Sequence, residues 1–588
     1  MEKKKVLATI LSACMLTSMV GMTACGGEGG NGGNGGGNAD YVYNVPSESK
    51  MTIKIKNFGM GTGNEWLEET VERFAKEYQN KQYGSKTGVY LDIEVTNNQN
   101  TSAMANDATN IFFDERKSDP YVLQQSNLLL NLDSIVKDET RVGGSLESKI
   151  FESAKGGIQG NDGSYYALPH FEYYAGMAYN RTTFDDLCAY FAAEDEEDVQ
   201  EYSCKYGSAL FVGDISAEKS VGPDGKSGTN DDGLPRSLDE FIILCDYIKT
   251  ESDGKISPLT VTGKYYHYYP DMMVIGLWSA LAGAEQMRNY YNCTGEIEVV
   301  ERDAKGNIQY TEENLFEGIS YIKKPKTKWV TMAEDGSDGW MGNDMASKYY
   351  ALAMMDIATN EGFFSASASS EKDHWNTQMD LYMDGKANTN NSAMLVEGSY
   401  WYNESTESGG FDYYERYVGK SRNDLQVEWM SLPTSLYAEG AVGKDACFVD
   451  CGIGYTMVNG NIKSKPDLMQ ACLDFVAFCY SEQELKNFTI RTGMARSLDY
   501  EFSDEDAAKM SVYTRKLWEA RDNRNGSNVV SWSGTTDTFK LVKKRLMLGL
   551  DCGVLSNGTT KMSLLFNTKK HTAEVFAGCS LYGNWETY

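Results

Sequence analysis

Residues 51–95 read MTIKIKNFGMGTGNEWLEETVERFAKEYQNKQYGSKTGVYLDIEV, and this stretch decides the fold class. Ile53 and Ile55 alternate with Lys54 and Lys56, the pattern of a strand with one buried face. Phe58-Gly59-Met60-Gly61-Thr62-Gly63 follows as a glycine-rich turn. From Asn64 to Tyr78, the apolar residues Leu67, Val71, Phe74, Ala75 and Tyr78 recur at helical spacing. Val89, Leu91, Ile93 and Val95 then alternate as a second strand. Strand, helix and strand in that order predict an α/β fold with a parallel sheet covered by helices. The Gly-x-Gly turn is not a dinucleotide fingerprint, because the third glycine and its spacing are missing.

Upstream of that unit the sequence sets a compartment. Lys3, Lys4 and Lys5 precede an apolar run from Val6 to Met22, diluted by Thr9, Ser12, Thr17 and Ser18. The run closes on Met22-Thr23-Ala24-Cys25-Gly26, the layout of a secretory signal, and it is short and broken for a membrane span. The cysteine directly after the small residues resembles a bacterial lipoprotein signal. That resemblance implies cleavage before Cys25, a diacylglycerol thioether on its sulfur, and a body held on the extracellular face of the cell membrane. Gly26 to Asn38 is mostly Gly and Asn, a tether that can bury nothing. The expectation is a signal peptide over 1–24 and a lipidated cysteine with its tether over 25–50. No later stretch is long and apolar enough to span a membrane, so a soluble body is expected.

Some 540 residues remain, too many for one compact unit, so two or more domains are expected. The chain carries 55 Lys+Arg against 84 Asp+Glu, a net charge of -29, and removal of the signal leaves -31. Such a surface repels nucleic acid and anionic lipid and suits a neutral or cationic ligand. Of the 12 cysteines, Cys14 leaves with the signal and Cys25 takes lipid. None forms a C-x-x-C pair, which argues against a zinc ribbon or a thioredoxin-type site. Cys245, Cys472 and Cys479 fall on apolar helix faces and read as buried thiols.

Further helices announce themselves by their caps. Ser237-Leu238-Asp239-Glu240 reads as a capping box, with Phe241, Leu244, Cys245 and Ile248 on one face behind it. Ser464-Lys465-Pro466-Asp467 reads similarly, and Ser481-Glu482-Gln483-Glu484 opens a helix ending near Gly493.

The order of several segments carries more than any one of them. Asn110 to Phe113 is followed by Asn127-Leu128-Leu129-Leu130-Asn131-Leu132-Asp133, then by Tyr165-Tyr166-Ala167-Leu168-Pro169 and Tyr179-Asn180-Arg181-Thr182-Thr183-Phe184. Leu234-Pro235-Arg236-Ser237-Leu238-Asp239-Glu240-Phe241 comes next, then Asp384 to Ala387 and Ala393-Met394-Leu395-Val396-Glu397-Gly398-Ser399-Tyr400-Trp401, and last Gly452 to Tyr455 through Thr492-Gly493. Together they resemble the maltose-binding-protein-like family, the extracellular solute-binding proteins of carbohydrate ABC importers. The match covers most of 51–500. It departs at Leu238, where tryptophan is usual, and in the loop stretched by Asn388 to Asn391, and 501–588 is poorly matched. The resemblance implies a monomer of two α/β lobes (type II periplasmic-binding-protein-like) around a hinge and a ligand cleft. The first lobe is expected over 51–168 and 434–500, the second over 169–433 and 501–588. It further implies a carbohydrate ligand, with an oligosaccharide favoured, and permease subunits of an ABC transporter as partners.

Aromatic residues make up 12% of the chain and cluster at Tyr173-Tyr174, Tyr265 to Tyr269 and Tyr400-Trp401-Tyr402. Neighbours on a strand face opposite ways, so consecutive aromatics cannot all enter one core. A sugar offers a C–H face to an aromatic ring and hydroxyls to Asp, Glu, Arg and Asn. By the family spacing from Pro169, Tyr173 falls on a cleft position. Tyr400 or Trp401 matches the aromatic after the glycine motif, and Asp114, Glu115 and Arg116 match a ligand-contacting loop. Trp532 fits a late cleft aromatic, while Trp66 and Tyr268 are candidates from loop position.

Gly222 to Gly233 stands apart. Asp224, Asn230, Asp231 and Asp232 lie among glycines, the oxygen donors a hard cation wants, and the stretch resembles calcium-binding loops of extracellular modular proteins. It is not an EF-hand. A structural Ca2+ is the expectation weighed against a solvated acidic turn, and no other cofactor is required. The four histidines, His170, His267, His374 and His571, are far apart, with no H-E-x-x-H or G-x-S-x-G, so no catalytic group is assigned and a non-enzyme is expected. His170 and His267 remain possible hydrogen-bonding partners of a ligand. Two alternatives stay open. One is a surface glycoside hydrolase, since paired carboxylates are abundant. The other is a binding protein for a peptide.

Overall fold

The computed structural model describes residues 41–59, 61–96, 104, 106–114, 120–262, 269–292, 294–333, 339–369, 380–381, 391–407, 409–421, 424–449, 454–521, 528–530, 571–572 and 576. Cys25, Glu115, Arg116, Tyr268, His267, His374 and Trp532 lie outside the described residues.

The main elements run β1 (Met51–Phe58), α1 (Glu65–Glu77), β2 (Val89–Thr96), β3 (Ile111–Asp114), β4 (Ala167–Pro169), β5 (Ala175–Asn180), α2 (Leu238–Glu251), β6 (Ser257–Thr260) and α3 (Tyr269–Asn292). They continue with α4 (Ala346–Asn360), β7 (Ser392–Gly398), α5 (Trp401–Glu407), β8 (Val427–Met430), β9 (Phe448–Val449), β10 (Tyr455–Val458), α6 (Pro466–Cys479), α7 (Glu482–Thr492), α8 (Val512–Ala520) and β11 (Val529–Val530). Short antiparallel ribbons at 199–212 and 296–331 decorate the second half.

Two sheets organise the chain. The first has the order β2-β1-β3-β10-β4, the second β6-β7-β5-β8. β1 pairs parallel with β2, from Met51 opposite Val89 to Phe58 opposite Thr96, so the opening strand-helix-strand reading holds. Ile53 and Ile55 are buried while Lys54 is exposed, as the alternation requires. Helix α1 buries Leu67, Val71, Phe74 and Ala75 on one face. The chain passes between the sheets after Pro169, after Val449 and between Thr492 and Val512.

Those passes shift two boundaries from their expected places, and a third shifts upstream of β1. Residues 434–449 belong with the second lobe, not the first. Thr434 Oγ1 donates to Pro223 O at 2.9 Å, Tyr437 Oη to Leu315 O at 2.8 Å, and Phe448 pairs with Val529. Residues 501–510 stay with the first lobe, where Asp506 lies 3.8 Å from Lys486. Residues 41–50, expected as part of a tether, join the body instead. The Glu72 carboxylate accepts the amides of Val42, Tyr43 and Asn44, and Asn44 exchanges two hydrogen bonds with the Leu91 backbone. A side chain that mimics a strand's donor and acceptor docks the chain onto β2, and composition alone gave no sign of it.

The caps hold in part. Ser237 accepts from Glu240 N, but the Glu240 carboxylate turns back to Arg236 N at 2.7 Å and to the Arg236 guanidinium. Ser481 caps α7, which ends on Gly493 in the left-handed conformation. Helix α6 starts differently from its expected form. Lys465 is the capping position with no side-chain bond, and Pro466 opens the helix where its missing N–H costs nothing. Cys245, Cys472 and Cys479 are buried free thiols, and burial raises the thiol of each.

Candidate functional site

Where the chain first leaves β4, residues 170–174 form a strap between the sheets. Its backbone is held on both sides. His170 N donates to Gly454 O at 2.8 Å, Glu172 N to Ala495 O at 2.9 Å, and Ser399 N to Tyr174 O at 2.9 Å. The alternation expected for adjacent aromatics appears here. Tyr173 meets Tyr400 edge-on at 5.4 Å, whereas Tyr174 packs on Phe448 at 4.9 Å on the other side. Tyr400 and Trp401 split the same way. Tyr400 faces the junction, and Trp401 packs among Phe411 and Tyr513 with no exposure.

The junction gathers residues from both lobes. Gly61 follows β1, and a Cβ there would lie 3.5 Å from the Tyr400 Cβ and 3.8 Å from Met494 Cε. Its φ of +73° also favours glycine. Asn403, in the first turn of α5, donates from Nδ2 to Gly61 O at 3.1 Å, so the two lobes touch directly at this point. Burial pushes the Tyr400 phenol well above its ordinary value, and Tyr269, Glu397, Glu404 and Tyr173 add to the rise. Tyr173 and Tyr400, both under 10% exposed, thus meet ring to ring where the lobes touch, within the electrostatic reach of Tyr269, Glu397 and Glu404. Rings offer faces to a C–H surface, and the phenols and carboxylates can donate to and accept from hydroxyls.

Of the residues expected in the site, Tyr173 and Tyr400 meet at the junction. Asp114 ends β3 and is buried, opposite Tyr455. Two expectations need correction. Trp66 is 2% exposed, packed on Phe113 at 5.1 Å, His170 at 5.2 Å and Phe488 at 5.1 Å, because it stands at the start of α1 pointing into the first lobe. Trp401 faces the second lobe's core, since it neighbours a residue that faces the junction. His170 is enclosed with Trp66, its two ring nitrogens have no partner among the described residues, and burial with Arg496 nearby pushes it well below its ordinary value. It is a neutral core residue. Tyr269, Glu397, Asn403 and Glu404 were not singled out from sequence. Asn403 and Glu404 follow Tyr400 by three and four residues, a helical spacing that could have found them.

The acidic loop also differs from expectation. Asp224, Asp231 and Asp232 each turn one oxygen to the Thr229 hydroxyl, at 3.4, 2.7 and 3.3 Å. Asp232 also accepts Gly228 N, and Asp224 accepts Lys226 N, both at 2.8 Å. The Asn230 amide faces Glu519 on α8 instead of its neighbours. Among the described residues no group of three or more His, Cys, Asp or Glu is arranged to hold a metal ion. Three carboxylates thus converge on the single proton of Thr229 while the Asn230 amide turns away, so the loop presents three of the four expected donors together.

Behind the strap lies an ionic core. Glu172 pairs with Arg521 at 3.2 Å, with both side chains at 1% exposure or less. Arg521 Nε also donates to the Tyr174 phenol at 2.8 Å, and its Nη2 donates to Arg496 O at 3.4 Å. Burial alone would lower the Arg521 guanidinium, yet Tyr174 and Glu172 raise it above its ordinary value. Arg496 donates to His170 O at 3.0 Å and to Cys479 O at 2.6 Å.

Two α/β bodies, a backbone strap and a shared junction define the architecture. It is the two-lobe fold of solute-binding proteins. A chitin oligosaccharide binding protein superposes with a TM-score of 0.50 at 14% identity, over 90% of this chain and 98% of the other. A binding protein of an ABC transporter from Bifidobacterium animalis subsp. lactis, in complex with mannobiose, superposes with a TM-score of 0.50 at 14% identity, over 92% of this chain and 94% of the other. No family model and no curated protein matches the chain. At this identity the solute-binding-protein likeness speaks for the fold. Among the described residues no helix is long and apolar enough to cross a membrane.

Proposed function

We propose that this protein is a lipid-anchored extracellular solute-binding protein that captures a carbohydrate, an oligosaccharide above all, and delivers it to an ABC transporter permease. The observation that carries the reading is the junction, where Tyr173 of the strap meets Tyr400 of the second lobe within the electrostatic reach of Tyr269, Glu397 and Glu404. Ring faces and hydroxyl partners in one place between two hinged lobes suit a sugar trapped by closure. Both superposed structures named above are described as binding oligosaccharides or a disaccharide, which supports the same class. Export and anchoring rest on the charged, apolar and small-residue run ending at Cys25. Trapping needs no turnover, so the reading is of a binder and not an enzyme.

A thermal-shift screen of the chain against chitin, xylan, mannan and starch oligosaccharides tests this. A ligand at 100-fold over its Kd stabilises by about 2.7 kcal/mol and raises Tm. A shift with one class and no released product supports the reading. Cleavage of the sugar would replace it with the hydrolase, and a response to peptides alone would replace it with a peptide binder.

A further inference from the structure

A cavity of about 310 Å3 opens in the second lobe along the free edge of β8, between α3, α8, the loop 223–231 and the loop 444–448. Tyr173, Tyr269 and Tyr400 are not among its lining residues, so it is separate from the junction. Its lining includes the small residues Ala175, Gly276 and Ala280 beside Leu432, with Trp429 and Phe448 supplying rings. Small side chains there leave room that larger ones would fill.

The rim is charged, and two of its three lysines are already paired. Lys226 pairs with Asp445 at 2.9 Å, and Lys516 pairs with Glu428 and donates to Asn230 O at 3.2 Å. Asp231 accepts the Thr229 hydroxyl at 2.7 Å and Asp224 N at 3.1 Å. Asp231 and Glu519 hold only neutral donors, among them the Thr229 hydroxyl and the Asn230 amide, which a ligand hydroxyl can replace. A neutral hydroxyl can donate to such carboxylates and accept from such ammonium groups at once. Lys444 is the exception on the rim. Its Nζ donates to Leu281 O at 3.2 Å and, with Glu298 acting on it only from beyond ion-pair distance, keeps N–H donors for an acceptor. The volume lies at the lower end of the roughly 300–1,000 Å3 of small-molecule sites, which suits one ring.

The two rim loops close backbone on backbone. A Cβ on Gly225 would meet Gly443 Cα at 2.9 Å, and one on Gly443 would meet Asp224 O at 2.5 Å. The acidic insertion thereby becomes a wall of the cavity.

We propose that this cavity is a second binding site, taking one small neutral polyhydroxylated molecule, either a monosaccharide or a polyol. The proposal does not depend on what the junction binds. Calorimetric titration of the full chain with D-glucose, D-mannose, D-xylose, sorbitol and myo-inositol tests it, alongside Ala280→Phe, Lys444→Met and Tyr400→Ala. The expected result is saturable binding of at least one probe, weakened at least tenfold by Ala280→Phe, weakened also by Lys444→Met, and retained in Tyr400→Ala. The monosaccharide and polyol arms identify the class. No saturable binding by any probe overturns the proposal, as does binding kept in Ala280→Phe but lost in Tyr400→Ala. If Ala280→Phe does not fold, unchanged affinity in Lys444→Met overturns it. Loss of oligosaccharide binding in Tyr400→Ala, with the small-probe response intact, would separate the two sites.

Discussion

The strap between the lobes carries two regions one residue apart that do opposite work. Glu172 points to the rear, into an ion pair with Arg521 that water does not reach, while Tyr173 points to the front, into a cluster of phenols and carboxylates where the lobes touch. Alternation along an extended backbone puts them on opposite sides. The rear is charged, enclosed and bonded to the main chain of Arg496, so any change there is felt as stability. The front meets ring on ring between the lobes, and under the proposed function change there is felt as binding. The contrast teaches that burial of a polar residue does not by itself mark a site. What matters is whether its partners belong to the protein or can be replaced by a ligand.

The sharpest way to break this contrast is to remove the rear cation. Arg521→Met leaves Glu172 buried without its counter-ion, and such a loss costs about 3–5 kcal/mol. Urea denaturation should show it as a lower midpoint. An unchanged midpoint would mean that the rear does not hold the lobes together. Next in size is the front. Tyr400→Ala should weaken the carbohydrate that shifts the wild type by about 2 kcal/mol, roughly thirtyfold in Kd by calorimetry, as a buried ring is lost from the contact. Equal affinity in the variant would move the site away from the junction.

Two smaller effects lie in the second lobe. Ser237→Ala removes the cap of α2 and should cost about 1 kcal/mol of stability with ligand affinity unchanged. The smallest effect is expected at Asp231. Burial pushes its carboxyl up and Asp224 adds to this, while the Thr229 hydroxyl opposes it. A carboxyl raised by folding binds more protons folded than unfolded, so its stability contribution falls as the pH rises from the ordinary Asp value through the raised one. Asp231→Asn should therefore raise Tm slightly at pH 7, with the gain fading as the pH falls below that window. A calcium-dependent loss of Tm in the same variant would instead restore the metal reading of the loop.

The opening strand-helix-strand unit was legible because its alternation and helical spacing are local, and β1, α1 and β2 form as read. The family spacing picked out Tyr173 and Tyr400, and the two rings meet in the fold. Trp66 and Trp401 misled because a large aromatic suits a core and a cleft equally, and sequence does not say which way it points. Asn403 and Glu404 were overlooked although they sit one turn beyond Tyr400. The acidic loop was read from donor type alone, and the donors proved to be engaged with Thr229 and with backbone amides.

By itself the sequence determined the α/β class, the buried cysteines and the divergence of the neighbouring Tyr173 and Tyr174. These follow from periodicity, composition and backbone geometry, which act over a few residues. Only the tertiary structure decided that Asn44 joins the body, that residues 434–449 belong to the second lobe, that Glu172 meets a side chain 349 positions away, and that a cavity opens beside β8. Those outcomes depend on which distant surfaces share one volume, and close packing settles that only when the whole chain is folded.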